Sequence, residues 1–391
     1  MKNQNIELSE IINSVGEDRE LYYNSVAPPL IQSSNFAFKT VKALRKSLKK
    51  EDSIPFYTRG ANPTTDILRK KMAALEHTED ALVFASGSAA IAAAVMVNLR
   101  QGDHVLCVHK PYSWTMKLLQ DLLGRYGVKV TFVDGRKSEN FKDALVPSTK
   151  MIILESPNSW TFELQNIEEV VAIARNNGLI TLMDNSYASP INQTPADYGI
   201  DIILHSASKY ISGHSDTVAG ILCASKKMTK KIFVSEFMTL GGIISPFNSW
   251  LLLRGLRTLP VRMDRVADTT MKVIKFLENH EKVSEVYYPF SKNHSQYALA
   301  KKQMKKGGGQ FTILLKTEDP EKVEAFCNTL NNFLLACSWG GHESLIFPAI
   351  VLSNSQNYSK GGFPVNMIRF YIGLEDSEYL INDLEIALTK A

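Results

Sequence analysis

Seven short apolar runs recur between residues 81 and 225, and they limit what this chain can build. They are ALVF (81–84), HVLCV (104–108), VKVTFV (128–133), MIILE (151–155), LITLMD (179–184), DIILHS (201–206) and GILCAS (220–225). Helical stretches such as AAIAAAVMVNL and MKLLQDLLGRYG separate most of them. Strands that are apolar at nearly every position have both faces covered, which requires helices on both sides of a mostly parallel sheet. The expectation is a seven-stranded α/β core. Ligands of such sheets bind at the carboxyl ends of the strands.

The pattern changes after SPFNSWLLLRGLRTLPVRM (245–263). A long helix from about Val261 to Leu277 is expected to lead into a smaller α+β domain with strands SEVYYP, GQFTILL and MIRFYIGL and an amphipathic helix from Pro320 to Leu330. The glycines at 307–309 lack the following Lys-Ser/Thr of a P-loop and read as a turn before a strand. At the other end, the first sixty residues are rich in Asn, Ser and Pro and read as an arm. A helix is expected after Asn62-Pro63-Thr64-Thr65, with Thr65 as its cap. The division is an arm (1–60), a large α/β domain (61–256) and a C-terminal α+β domain (257–391).

With 44 basic and 40 acidic residues, the net charge of +4 gives no nucleic-acid or membrane surface, and the lysine clusters read as solvated faces. Four cysteines without a C-x-x-C spacing fit a reducing compartment better than a disulfide framework. The eight histidines form no metal-ligand motif. The polar N-terminus has no signal-peptide core, and no apolar run reaches the roughly 18 residues of a membrane helix. A cytoplasmic protein acting on a small molecule is expected.

The stretch DIILHSASKYISGHS (201–215) carries the chemistry. A buried strand delivers Ser206, Ser208 and then Lys209 into a turn marked by Gly213. Burial lowers a lysine's pKa and supplies the neutral amine that a Schiff base with a phosphorylated aldehyde needs. Asp184 ends the preceding strand; such an Asp is often only a cap, but a carboxylate here could keep a ring nitrogen protonated. Ser86-Gly87-Ser88 joins a strand to an Ala-rich helix, whose first amides can hold a phosphate, although many such turns are structural. Tyr112 follows the strand HVLCV, where it could stack on a cofactor ring and protonate a leaving group. Tyr57 and Arg59 lie in FYTRGANPTT, and Arg suits bidentate phosphate binding. Arg369, in MIRFYIGLED, could clamp a carboxylate.

These motifs, in this order from Tyr57 to Asp376, resemble the trans-sulfuration (Cys/Met metabolism) family of pyridoxal-phosphate (PLP) enzymes. The resemblance implies the type I fold of PLP-dependent transferases, PLP on Lys209, and Asp184 at the ring nitrogen. It implies phosphate contacts from Gly87, Ser88, Ser206 and Ser208, with Tyr57 and Arg59 reaching in from a neighbouring subunit. The α-carboxylate of a sulfur amino acid would then meet Arg369. An active-site-sharing dimer, paired into a tetramer, follows from the same resemblance. Ser208 stands where the family usually has Thr, so the hydroxyl is kept.

Members of the family carry out β-elimination, γ-elimination or γ-replacement on one scaffold. The segment CSWGGHESL (337–345) is similar to the Ser-Trp-Gly-Gly of bacterial cystathionine β-lyases, which marks Ser338 and Trp339 as substrate-binding and Ser338 as orienting Lys209 or the carboxylate. Many γ-acting relatives have Leu at the Trp339 position and Glu at the Cys337 position. ESPNSW (155–160) departs from the frequent E-S-P-x-N-P form, as those β-lyases do. Trp114 stands where methionine γ-lyases carry Cys. The expectation is a cystathionine β-lyase. Cystathionine γ-synthase or γ-lyase, methionine γ-lyase, homoserine-ester sulfhydrylase and a non-catalytic PLP-binding module are the alternatives.

Overall fold

The protein, seen in a computed structural model, is described over residues 6–352 and 362–391. Its first sheet contains β1 (Asp80–Phe84), β2 (His104–Val108), β3 (Lys129–Val133), β4 (Thr149–Glu155), β5 (Ile180–Asp184), β6 (Ile202–Ser206) and β7 (Gly220–Ala224), in the order β1-β7-β6-β5-β4-β2-β3. The pairings from β3 through β6 are parallel. β7 runs antiparallel to both β6 and β1. The 207–219 segment that joins β6 to β7 contains no helix, so the chain returns beside β6 in the opposite direction instead of crossing over. Burial follows position: β2 and β7 are buried at every residue, whereas β3, at the edge, alternates.

The second sheet contains β8 (Val283–Tyr287), β9 (Gln310–Leu315), β10 (Leu334–Leu335), β11 (Leu345–Pro348) and β12 (Met367–Tyr371), in the order β10-β11-β12-β9-β8. The glycines at 307–309 do precede β9. Strands β10 and β11 and the Ser377–Leu388 helix were not legible in the pattern; β10 has only two residues, both exposed.

The helix expected from Val261 instead spans Pro246–Glu278 and includes Pro260. The proline removes one backbone donor, but the apolar face continues through Leu252, Leu256, Leu259, Met263 and Val266. The expected boundary at 256/257 therefore falls inside one helix. Residues up to Val266 pack into the core of the large sheet, and Val273, Ile274 and Leu277 pack into that of the small one.

The Pro63–Leu75 helix is capped by Asn62, whose side chain accepts from Thr64 N–H at 3.0 Å, and not by Thr65. Pro63 has the fixed φ suited to a first helical residue, which places the cap immediately before it. The arm is tied down at several points, among them Trp250 Nε1 donating to Pro28 O at 3.0 Å and Asn62 Nδ2 donating to Ile31 O at 2.9 Å. Ile11 and Ile12 are buried, Lys71 Nζ donates to both their carbonyls (2.9 and 2.8 Å), and Lys71 pairs with Glu17 at 3.0 Å. Beyond that anchor Leu21, Tyr23 and Val26 are exposed. No helix among the described residues is long and apolar enough to cross a membrane.

Candidate active site

The carboxyl ends of β4, β5 and β6 bring together Glu155, Asp184 and Ser206, and the chain after β6 turns back to present Lys209. The turn is held by Lys209 N–H donating to Ser206 O (3.1 Å) and Gly213 N–H donating to Lys209 O (2.8 Å). Burial first, then the charge of Arg369, draws the lysine's pKa down to about 8, against the raising influence of Cys337 and Asp184. Its Nζ donates to Ser338 Oγ and lies 5.4 Å from the centroid of the Trp339 ring.

A strap from the small domain covers this lysine. Ser338 adopts φ +83, a strained setting for a residue with a Cβ. Gly340, at φ +94, passes so close that a Cβ there would lie 2.7 Å from Lys209 Cα. Ser215 Oγ donates to Glu343 Oε1 at one end of the strap, and Ser344 donates to Glu375 through both N–H and Oγ at 2.8 Å. Cys337 is exposed.

Asp184 lies opposite Glu155 in the β4–β5 register and accepts Ser186 N–H at 2.9 Å. Glu155 receives Tyr112 N–H (2.6 Å) and both N–H and Oγ of Ser159 (2.9 and 3.0 Å). Burial, followed by the charge of Asp184, nevertheless pushes Glu155 up to about 8. Burial and the neighbouring charge thus both disfavour the ionised form of Glu155. Tyr112 begins the Ser113–Lys117 helix with its side chain substantially exposed.

The Gly87–Met96 helix starts beside β6, with Ser86 Oγ accepting Ala89 N–H at 3.1 Å. A Cβ on Gly87 would touch Ser206 Cα and Cβ at 3.4 Å, so the first-turn amides of Gly87 and Ser88 and the Ser206 hydroxyl converge. They form a cradle suited to phosphate. Ser208 Oγ accepts Ala219 N–H (2.9 Å) and donates to Ala219 O (3.3 Å), so part of its bonding capacity serves the fold. Cradle, carboxylate and lysine of lowered pKa together fit PLP. Tyr57 and Arg59 sit at the base of the arm, where the guanidinium lies 5.6 Å over the Tyr57 ring and Tyr57 pairs with Asn35.

Arg369 lies on β12, opposite Phe347 of β11 and Thr312 of β9. Its guanidinium is 5.4 Å from the Phe347 ring centroid and 5.2 Å from that of Trp160. Trp160 in turn stacks on Phe363 at 4.7 Å. With its amide oxygen turned to the donors, Gln310 accepts from Arg369 Nε and Trp339 Nε1, each at 3.2 Å.

Sequence reasoning did not find the places of Gln310, Phe347 and Glu155 in the site, nor the contact of Trp160 with Arg369. The departure of Trp160 from the frequent pattern was the one available signal. A buried group under the site was also missed: Glu76 Oε1 contacts His205 Nε2 at 2.5 Å and accepts Asn185 Nδ2 at 2.8 Å. His205 and Asn185 immediately precede and follow Ser206 and Asp184, respectively.

Residues 9–389 match the family of Cys/Met metabolism PLP-dependent enzymes. An L-methionine gamma-lyase of Pseudomonas deceptionensis is 37% identical over 93% of this chain and 92% of its own. The cystathionine beta-lyase MetC of Staphylococcus haemolyticus is 32% identical over 96% of this chain and 93% of its own. The crystal structure of metB from Corynebacterium glutamicum superposes with a TM-score of 0.91 at 33% identity, covering 100% of this chain and 99% of that one.

Proposed function

Because the chain belongs to the Cys/Met metabolism PLP-dependent enzymes, we propose that it is a carbon–sulfur β-lyase that converts L-cystathionine and water to homocysteine, pyruvate and ammonia. Bound PLP supplies the electron sink for the pair left when a proton leaves Cα. In this reading Lys209 holds the cofactor aldehyde, Asp184 keeps the ring nitrogen protonated, and Gly87, Ser88, Ser206 and Ser208 hold the phosphate. Tyr57 and Arg59 complete that phosphate site in a second copy of the chain, within a dimer-based tetramer in the cytoplasm.

Arg369 binds the substrate α-carboxylate, which orients the Cα–H bond toward Lys209. Once the substrate amine has displaced it from the cofactor aldehyde, Lys209, with a pKa drawn down to about 8, has an appreciable neutral fraction at neutral pH and removes that proton. Lys209 or Tyr112 then protonates the departing sulfur.

The observation that carries β- over γ-cleavage is the confinement of Lys209 by the Ser338 hydroxyl and the Trp339 ring. Cleavage at Cγ needs proton removal at Cβ as well as Cα, so the amine must travel along the substrate. An amine bonded to Ser338 and walled by an indole is suited to a single position. Cys337 also offers no carboxylate as a second base.

The test is product analysis with L-cystathionine. Pyruvate and homocysteine in equal amounts are expected. Cysteine with 2-oxobutyrate would reassign the enzyme to γ-cleavage. Epimerised substrate without pyruvate would make proton transfer at Cα the whole reaction.

A further inference from the structure

Gln310 is 3% exposed at the first position of β9. It shares a strand face with Thr312, the residue opposite Arg369, so its amide falls diagonally across from the guanidinium. An amide oxygen accepts two hydrogen bonds. Here the two come from different functional side chains, Arg369 Nε and Trp339 Nε1.

We propose that Gln310 is a positioning residue for specificity, coupling the arginine that takes the substrate carboxylate to the indole that walls the lysine. The inference rests on the reading of Arg369 as the carboxylate site.

Three observations give the coupling its direction. The Trp160 and Phe347 rings, 5.9 Å apart, both lie on one side of the Arg369 guanidinium, at 5.2 and 5.4 Å, and Gln310 holds the group through Nε. Bidentate recognition of a carboxylate then uses the terminal nitrogens. The amide is neutral, so it orients the guanidinium without cancelling the charge that attracts the substrate. Trp339 lies with its ring 5.4 Å from Lys209 Nζ and edge-on to Tyr210 at 5.3 Å. The place of the indole therefore sets the room beside the lysine, where the substituent on Cα must fit. Displacing either group pulls on the other through one shared acceptor.

Two variants of the holoenzyme separate geometry from charge. Gln310→Leu removes the acceptor at similar volume. Gln310→Glu keeps an acceptor for both donors and adds a negative charge against Arg369. Glycine, titrated through the cofactor absorbance, reads the carboxylate site without any side chain or sulfur chemistry. Hydrogen bonds involving a charged group predict about a tenfold loss of glycine affinity in Gln310→Leu and a larger loss in Gln310→Glu. For L-cystathionine, KM rises in parallel while kcat stays within about threefold. The preference for L-cystathionine over L-cysteine falls in Gln310→Leu as the indole is released.

Unchanged glycine affinity and unchanged preference in a folded Gln310→Leu protein would overturn the proposal. So would a fall in kcat alone. If Gln310→Leu does not fold, Gln310→Glu decides: wild-type glycine affinity in that variant has the same consequence. The glycine titration does not depend on which bond the enzyme cleaves, so it survives a failure of the lyase assignment. Arg369→Leu with full glycine affinity would instead refute the carboxylate reading itself.

Discussion

Substituting Gly340 by Ala tests whether the strap sets the position of Lys209. The added Cβ would lie 2.7 Å from Lys209 Cα and 2.8 Å from both its C and Cβ. Carbon atoms rest at about 3.5 Å or more, so the strap must retreat by about 0.8 Å. Lys209 cannot give way instead, because hydrogen bonds to Ser206 and Gly213 fix its backbone at both N–H and carbonyl. The positive φ of +94 adds a separate cost. A left-handed setting costs Ala about 1–2 kcal/mol and overpacking about 1–3, for roughly 2–5 in total. Gly102→Ala isolates the two contributions, since Gly102 has φ +90 and nothing within 4 Å of its Cβ position. Urea unfolding of both variants should therefore differ by the overpacking cost alone. Retreat of the strap also carries Ser338 and Trp339 away from the amine, and misplacement by about 1 Å can cost on the order of a hundredfold in rate. The expected result is a fall in kcat/KM of about that size in Gly340→Ala and none in Gly102→Ala. Equal unfolding midpoints and equal rates for the two variants would refute the reasoning.

Reconstitution of the apoprotein with PLP should follow the neutral form of Lys209. Its rate, measured by absorbance, should rise with pH and level off above about 8, and the midpoint should move upward in Arg369→Leu, because that change removes a neighbouring positive charge. A wild-type midpoint near the free-lysine value of about 10.4 would contradict the burial of the amine. Glu76→Leu leaves His205 and Asn185 without their shared partner, and a buried polar group left unsatisfied costs about 1–3 kcal/mol, readable as a lower urea midpoint.

The residues most legible from sequence were those whose place in the fold is set locally. Asp184 and Lys209 could be placed because continuous apolar runs announce strands and their ends. The turn at Ser86–Ser88 could be placed because a strand–Gly–helix turn is contiguous in the chain. The direction of β7 was not legible, because the 207–219 segment gives no periodic signal to say whether it crosses over or turns back. The start of the Pro246–Glu278 helix was obscured by Pro260, which reads as a break but is tolerated by the buried face on either side. Gln310 and Phe347 acquire their places only through the register of β9, β11 and β12, and pairing across strands leaves no mark within any one of them. Trp160 was noticed as a departure, but its partner Arg369 is 209 positions away along the chain.

The Lys209 turn and the Arg369 strand both meet consecutive turns of the Pro246–Glu278 helix. Arg262 reaches the Gly255 carbonyl at 2.8 Å and packs against Gly213, beneath the lysine turn, while Arg265 donates to the carbonyls of Leu374 and Glu375 (3.3 and 3.1 Å), just past the strand that bears Arg369. The two arginines are about 4.5 Å apart along the helix axis. One helix therefore bears both the contact beneath the lysine turn and the contacts just past the arginine strand. A change at either turn of that helix would therefore be felt at the lysine turn and at the arginine strand together.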